Sequence, residues 1–306
     1  MNNNKMDAKK LLIKMFGESA EFRDDQLESI LSILEDKRVL IVQRTGWGKS
    51  VVYFITAKIL RERGQGITIV ISPLLSLIRN QIISAANLNI TVRTINSSNY
   101  DFHEDIIKEL KNDEIDVLMI APEQIANETR FEKIRDSISA IGMLVIDEAH
   151  CISDWGHDFR PDYQRISDII STLPKNIPVV ATTATANDRV IEDIVEQIGS
   201  IKVVRGKLRR DSLIIQPIKL NNRNERLAWI LENINKINGS GIIYCLTIRD
   251  TNTVSSFLTK NGVNAYAYHS QLDQDEKLLL EDQFYRNEIK CLVATIALGM
   301  GYDKPD

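Results

Sequence analysis

Apolar and polar positions along this chain fall into two alternating patterns. Short unbroken apolar runs are what strands buried on both faces of a parallel sheet look like. They predict strands over Val39–Gln43, Ile67–Ile71, Thr91–Ile95, Asp116–Ile120, Met143–Asp147 and Val179–Thr183. Between them lie stretches with apolar positions three and four apart, which predict helices at, for example, Lys49–Arg63, Leu74–Ala86 and Asn187–Ile198. The alternation then begins again, with strands over Gly241–Cys245, Val263–Tyr268 and Ile289–Ala294 and helices near Arg223–Lys236, Asp250–Lys260 and Asp273–Arg286. Strand and helix in strict alternation predict an α/β fold with two parallel-sheet domains. A basic, glycine-containing stretch within Val204–Asp211 marks the expected boundary, giving a first domain over 1–206 and a second over 207–306. The second shows few strand patterns before Asp306 and is expected to be incomplete.

Composition narrows the class without choosing a function. With 43% hydrophobic and 26% charged residues the chain reads as a soluble globular protein. No apolar run approaches the ~20 residues that span a bilayer. The amino-terminal stretch Met1–Phe16 has a Lys-broken apolar segment and no cleavage-like site, so it reads as a helix rather than a signal peptide. An intracellular, cytoplasmic location is expected, nucleoid-associated in a bacterium, with no membrane partner. The three cysteines, Cys151, Cys245 and Cys291, are far apart and form no C-x-x-C pair, which argues against a disulfide framework or a zinc site. A net charge of −4 excludes a uniformly basic nucleic-acid coat but leaves room for a locally basic groove.

The candidate chemistry begins at Gln43-Arg44-Thr45-Gly46-Trp47-Gly48-Lys49-Ser50, between a predicted strand and a predicted helix. That is the context of a phosphate-binding P-loop. Gly46 and Gly48 let backbone N–H groups of the loop, Thr45 included, close around phosphate oxygens at a helix N-terminus. Lys49 is placed to reach the β- and γ-phosphates of ATP, and the Ser50 hydroxyl to ligate Mg²⁺. The strict pattern fails at its first position, where Gln43 stands for glycine; a plain glycine turn capping a helix is the alternative. Val145-Ile146-Asp147-Glu148-Ala149-His150 supplies the partner motif. A carboxylate ending a buried strand suits a cation, so Asp147 is read as a Mg²⁺ ligand and Glu148 as the group that orients and deprotonates a water.

Asp147-Glu148-Ala149-His150, with the segments around it, resembles the RecQ family of superfamily 2 DNA helicases. Phe22-Arg23 with Gln26 resembles the adenine-reading motif. Ser72-Pro73-Leu74-Leu75-Ser76-Leu77, Ala121-Pro122-Glu123 and Thr183-Ala184-Thr185 resemble the motifs that follow. Ile242-Ile243-Tyr244-Cys245, Tyr268-His269, Ala294-Thr295, Gly299-Met300-Gly301 and Lys304-Pro305-Asp306 resemble those of the second domain. Cys151 through Pro161 is similar to the family's aromatic-rich loop. There Trp155 and Phe159 offer faces for bases, while His157 and Arg160 offer contacts to phosphate.

The resemblance implies two RecA-like domains with ATP in the cleft between them, and single-stranded and branched DNA as partners. It also implies 3′-to-5′ translocation with duplex unwinding. Lys49, Asp147 and Glu148 would carry the chemistry and Arg23 and Gln26 would select adenine, while His150, Thr183 and Thr185 would couple hydrolysis to movement. Two departures, Trp47 in place of the usual glycine and Thr182 in place of the common leucine, read as minor. The family's last motif, which supplies an arginine finger worth ~10³–10⁵ in rate, is expected beyond Asp306. The chain is therefore expected to bind ATP better than it hydrolyses it. Two alternatives stand beside the motor: an ATP- and DNA-binding module without motor activity, and a DEAH-type RNA helicase. His103 reads as solvated surface, Trp229 as core, Asp24-Asp25 as a helix start, and Arg209 and Arg210 as an exposed hinge.

Overall fold

Alternate residues of a strand point to opposite faces of its sheet, so a strand apolar at every position can be covered on both sides. The computed structural model describes residues 2–35, 38–73, 85–153, 161–207 and 213–298, and the chain divides into two units, Met1–Asp211 and Ser212–Asp306. In the first, the elements in chain order are α1 (Asn2–Phe16), α2 (Gln26–Ile33), β1 (Arg38–Val42), α3 (Lys49–Glu62), β2 (Ile67–Ile71), β3 (Val92–Ile95), α4 (His103–Lys111), β4 (Val117–Ile120), α5 (Pro122–Ala126), α6 (Glu128–Arg135), β5 (Ile141–Ile146), α7 (Arg165–Thr172), β6 (Val179–Thr183), α8 (Asp188–Ile198) and β7 (Lys202–Arg205). The seven strands form one parallel sheet in the order β3-β4-β2-β5-β6-β1-β7.

The period of two divides the core. Val39, Ile41, Val70, Val145 and Val180 pack with Leu12 of α1, Ile30 of α2 and Phe54 of α3. Leu40, Val42, Ile69, Leu144 and Ala181 pack on the other face with Ile106 of α4, Ile134 of α6, Ile170 of α7 and Ile194 of α8. Helices thus cover both faces of the sheet, the three-layer α/β arrangement that the apolar runs require.

The expected strands of this unit appear within two residues of their predicted bounds. The helix predicted over Leu74–Ala86 falls largely outside the described residues, as do Arg209 and Arg210. One strand was not expected: β7 pairs with β1 at the sheet edge just before the boundary stretch, and the Gly206 N–H continues the ladder to the Val42 carbonyl at 3.1 Å. Polar ends on a short edge strand hide it from the apolar pattern.

Close approach of β2 and β5 at their start depends on Gly66. Its φ is +92°, and a Cβ there would overlap the Ala140 carbonyl. Gly66→Ala is expected to destabilise the first unit by about 2–4 kcal/mol, lowering its melting temperature by roughly 5–15 °C. Gly64 also has a positive φ, +72°, but open space around it. Gly64→Ala should cost only about 1 kcal/mol, and comparing the two thermal melts separates overlap from backbone strain.

The second unit is smaller. It contains α9 (Arg223–Ile234), β8 (Gly241–Tyr244), α10 (Ile248–Lys260), β9 (Ala265–Tyr268), α11 (Gln274–Tyr285) and β10 (Cys291–Ala294). Its three strands are parallel in the order β8-β10-β9. Asn222, Thr247 and Asp273 cap the three helices, each side chain accepting the backbone N–H three residues on. Trp229, expected in the core, is half-buried and lies outside the apolar cluster that Leu227, Ile230 and Leu231 join.

Candidate functional site

In a parallel sheet every strand delivers its following loop to the same edge. The order β2-β5-β6-β1 therefore gathers four loops side by side: Ser72-Pro73 after β2, Asp147-Glu148 after β5, Ala184-Thr185 after β6, and the Gln43–Gly48 loop after β1. Backbone bonds bind them together. The Gln43 N–H reaches the Thr183 carbonyl at 3.1 Å, and the Asp147 N–H reaches that of Ile71 at 2.8 Å.

The phosphate loop has the backbone its glycines promise. Gly46 and Gly48 have φ of +77° and +95°, and Lys49 and Ser50 open α3. Among the described residues nothing lies within 4 Å of the Cβ position at Gly46, leaving open space at the loop's turn. Thr45 is exposed on the same turn. Lys49 Nζ donates to the Gln43 carbonyl at 3.0 Å, spanning the base of the loop.

The segment before α2 braces this loop. Arg23 donates from its guanidinium to the Gly46 carbonyl, and Gln26 Nε2 donates to the Trp47 carbonyl at 2.8 Å. Gln26 Oε1 accepts the Arg23 N–H at 2.9 Å. Asp25 does not cap α2 through its side chain. Its backbone is left-handed, with φ +68°, and its carboxylate accepts the Gln43 amide at 3.2 Å. Gln43, the departure from the P-loop pattern, is buried here, and a Cβ at Gly206 would overlap its carboxamide.

Asp147 is buried and receives three donors. These are Thr182 Oγ1 at 2.5 Å, the Glu148 N–H at 3.1 Å and Ser72 Oγ at 3.4 Å. Burial, followed by the Glu148 charge, raises its pKa above the usual carboxylate value. Burial also pushes Glu148 up, but the contact with His150, the Lys49 charge and the Ala184 N–H together outweigh it, so its carboxyl lies below the usual value. Glu148 holds a left-handed backbone, φ +49°, without being glycine. Such conformations cluster where function imposes them.

His150 Nδ1 stands 3.0 Å from Thr183 Oγ1 and 3.2 Å from Glu148 Oε2. The ring nitrogen is engaged with the threonine, and Glu148 Oε2 is buried without completing a hydrogen bond. Thr183 Oγ1 in turn bonds Thr185, donating to its carbonyl at 3.1 Å and accepting its N–H at 3.2 Å. Glu148, His150, Thr183 and Thr185 thus form one chain of contacts. On α3 the Tyr53 hydroxyl is also buried, with no hydrogen-bond partner among the described residues, and its pKa is raised well above normal by burial and by the charges of Asp147 and Glu148.

These residues fit a magnesium nucleotide. A lysine and an open glycine turn suit phosphate. A buried carboxylate pair, with an oxygen and a nearby phenol lacking partners, suits a hydrated divalent cation. Among the described residues no group of three or more His, Cys, Asp or Glu is arranged to hold a metal ion, so a cation here would need phosphate oxygens and water as further ligands.

Several contributors were not legible beforehand. Thr182, read as a minor departure, is a direct donor to Asp147, and Tyr163 Oη donates to the Asp147 carbonyl at 2.9 Å. Removing the hydroxyl strands part of a buried carboxylate, so Thr182→Val is expected to cost about 1–3 kcal/mol in denaturant unfolding. Trp47, also read as minor, is buried in the apolar core. His103 is not solvated surface: it is 7% exposed, with Nε2 3.0 Å from the Asn96 carbonyl and 3.1 Å from Asn99 Oδ1. Burial, the largest influence on it, lowers its pKa. Trp155, His157, Phe159 and Arg160 lie outside the described residues. In the second unit, Tyr268 Oη donates to Glu281 at 2.5 Å, and His269 Nε2 lies 3.2 Å from Asn252 Oδ1.

The chain is similar to known proteins. The DEAD/DEAH box helicase family matches residues 23–194, and the helicase conserved C-terminal domain matches residues 223–306. ATP-dependent DNA helicase Q-like 4B of Arabidopsis thaliana is 36% identical over 300 residues, covering 93% of this chain and 25% of that protein. RecQ-like DNA helicase BLM of Xenopus laevis is 35% identical over 309 residues, covering 97% of this chain and 22% of that protein. The chain thus spans about a quarter of the length of these two relatives. Among solved structures, S. cerevisiae Dbp5 bound to RNA and ADP BeF3 superposes with a TM-score of 0.77 at 19% identity, over 98% of this chain and 76% of that one. That likeness shows the fold alone. No helix among the described residues is long and apolar enough to cross a membrane.

Proposed function

This chain belongs to the DEAD/DEAH box helicase family, and on that premise we propose that it is the ATP-driven motor of a RecQ-type DNA helicase. The observation that carries the reading is the convergence of the Gly46–Ser50 loop, the Asp147-Glu148 pair and Thr183 at the ends of the adjacent strands β1, β5 and β6. In this reading ATP is the substrate and its triphosphate lies along the Gly46–Lys49 turn, with Arg23 and Gln26 on the adenine side. Asp147 and Ser50 would hold Mg²⁺, which when bound neutralises charge on the phosphates. Lys49 binds the β- and γ-phosphates, and Glu148 takes a proton from the attacking water at its carboxylate. His150 touches both Glu148 and Thr183, so a change in charge at the carboxylate is felt at Thr183 and Thr185. Single-stranded DNA is the track, moved in the 3′-to-5′ direction, with Trp155, His157, Phe159 and Arg160 as its sensors.

The RNA-dependent alternative separates in one assay. ATP hydrolysis is followed while single-stranded DNA, or RNA of the same base sequence, is titrated in. Stimulation by DNA and not RNA supports the reading. Equal or greater stimulation by RNA transfers the chain to the RNA helicases, and tight DNA binding with no stimulation leaves a binding module.

A further inference from the structure

A loop that wraps phosphate gains from small residues, because backbone N–H groups must approach the ligand closely. Trp47 is therefore the least expected member of this one. Its side chain is 5% exposed and packs into the apolar cluster shared with α1, α2 and α3. The indole Nε1–H donates to the Asp24 carbonyl at 3.2 Å, while the Trp47 carbonyl accepts Gln26 Nε2 at 2.8 Å. One residue of the phosphate loop is thus tied at two points, through side chain and backbone, to a segment 21–23 positions earlier. Close packing leaves no slack: a Cβ on Gly48 would stand 2.7 Å from Gln26 Nε2.

Gln26 is the other half of the link. Its carboxamide spends one N–H on Trp47 and one lone pair on the Arg23 N–H. An amide carries two N–H groups and two lone pairs. One of each remains, the pair of groups with which a glutamine reads the N6 and N7 edge of adenine. Engagement of a base by Gln26 thus bears on the Trp47 carbonyl, and the indole bond to Asp24 is a second tie between the segment and the loop.

We propose that Trp47 is a positioning residue that couples the adenine-side segment Arg23–Gln26 to the phosphate loop, so that base recognition orders the loop around the triphosphate. The inference rests on the reading of Arg23 and Gln26 as adenine-selecting. Coupling of this kind is reciprocal, so the loop and the base site strengthen each other's binding by one common factor.

Trp47→Phe keeps a buried ring and removes only the N–H donor. Dissociation constants are measured calorimetrically for MgATP, MgGTP and magnesium tripolyphosphate. Loss of one hydrogen bond predicts that ATP binding weakens about two- to tenfold, while tripolyphosphate and GTP binding stay unchanged. Parallel weakening for ATP and tripolyphosphate means that Trp47 merely supports the loop, and overturns the coupling. Unchanged binding of all three overturns it as well. If the unaltered chain shows no preference for ATP over GTP, the adenine reading fails and the coupling with it, a failure visible before any variant is made. Should Trp47→Phe not fold, a chain carrying Trp155→Phe and Trp229→Phe leaves Trp47 as the sole indole. Its emission is expected to change more with MgATP than with magnesium tripolyphosphate, and an equal response to both overturns the proposal.

Discussion

Glu148→Gln is expected to lower ATP turnover by roughly 10²–10⁴-fold and to leave ATP binding unchanged. Burial alone pushes this carboxyl toward its protonated form, which cannot act as a base. His150, the Lys49 charge and the Ala184 N–H reverse that tendency, leaving an ionised group in a buried site. Its Oε2 lies 3.2 Å from His150 Nδ1 and, as a carboxylate oxygen, keeps a lone pair with which to accept a hydrogen bond from water. Glutamine has the same shape and preserves the packing, but it cannot take a proton at that oxygen. Single-turnover assays, with protein in excess over ATP, resolve slow hydrolysis and separate it from binding. A fall of less than about tenfold would remove Glu148 from the role of general base.

Lys49→Ala is expected to weaken ATP binding about 10- to 100-fold, the worth of a hydrogen bond to a charged group, and to reduce turnover beyond that. Lys49 acts twice. Its ammonium is the cation at the base of the phosphate loop, anchored on the Gln43 carbonyl. Its charge also lowers the pKa of both Asp147 and Glu148. Without it two neighbouring buried carboxylates lose a compensating charge, which disfavours ionisation of the pair. Equilibrium binding of a fluorescent ATP analogue to Lys49→Ala checks the first effect, and unchanged affinity would place the phosphates elsewhere.

How much of this was legible depended on whether neighbours in sequence or neighbours in space carried the signal. Strands of the first unit are buried on both faces, so Ile67–Ile71 and Val179–Thr183 announce themselves as apolar runs. Lys202–Arg205 does not: it has one buried residue and basic ends, and only pairing with β1 makes it a strand. The Gly46–Ser50 and Asp147–His150 motifs are contiguous in sequence, and that made them readable. Their supports are not contiguous. Asp147 is held by Ser72 and Thr182, 75 and 35 positions away, and nothing in either residue's local pattern marks it as a ligand to that carboxylate. The same holds for Asp25, which reads as a helix-starting acid yet serves Gln43 in the phosphate loop. His103 was misjudged because Ser97–Phe102 is polar. Asn96 and Asn99 form a capping box that folds this segment so that the imidazole turns inward.

The central claim is that ATP chemistry in the first unit is driven by nucleic acid. It is tested most directly by single-turnover ATP hydrolysis over a titration of single-stranded DNA, with the unaltered chain and Glu148→Gln side by side. A slow rate that rises to saturation with DNA in the unaltered chain and stays flat in the variant is expected, although both bind ATP. A rate indifferent to DNA, or an equal response in Glu148→Gln, would contradict it.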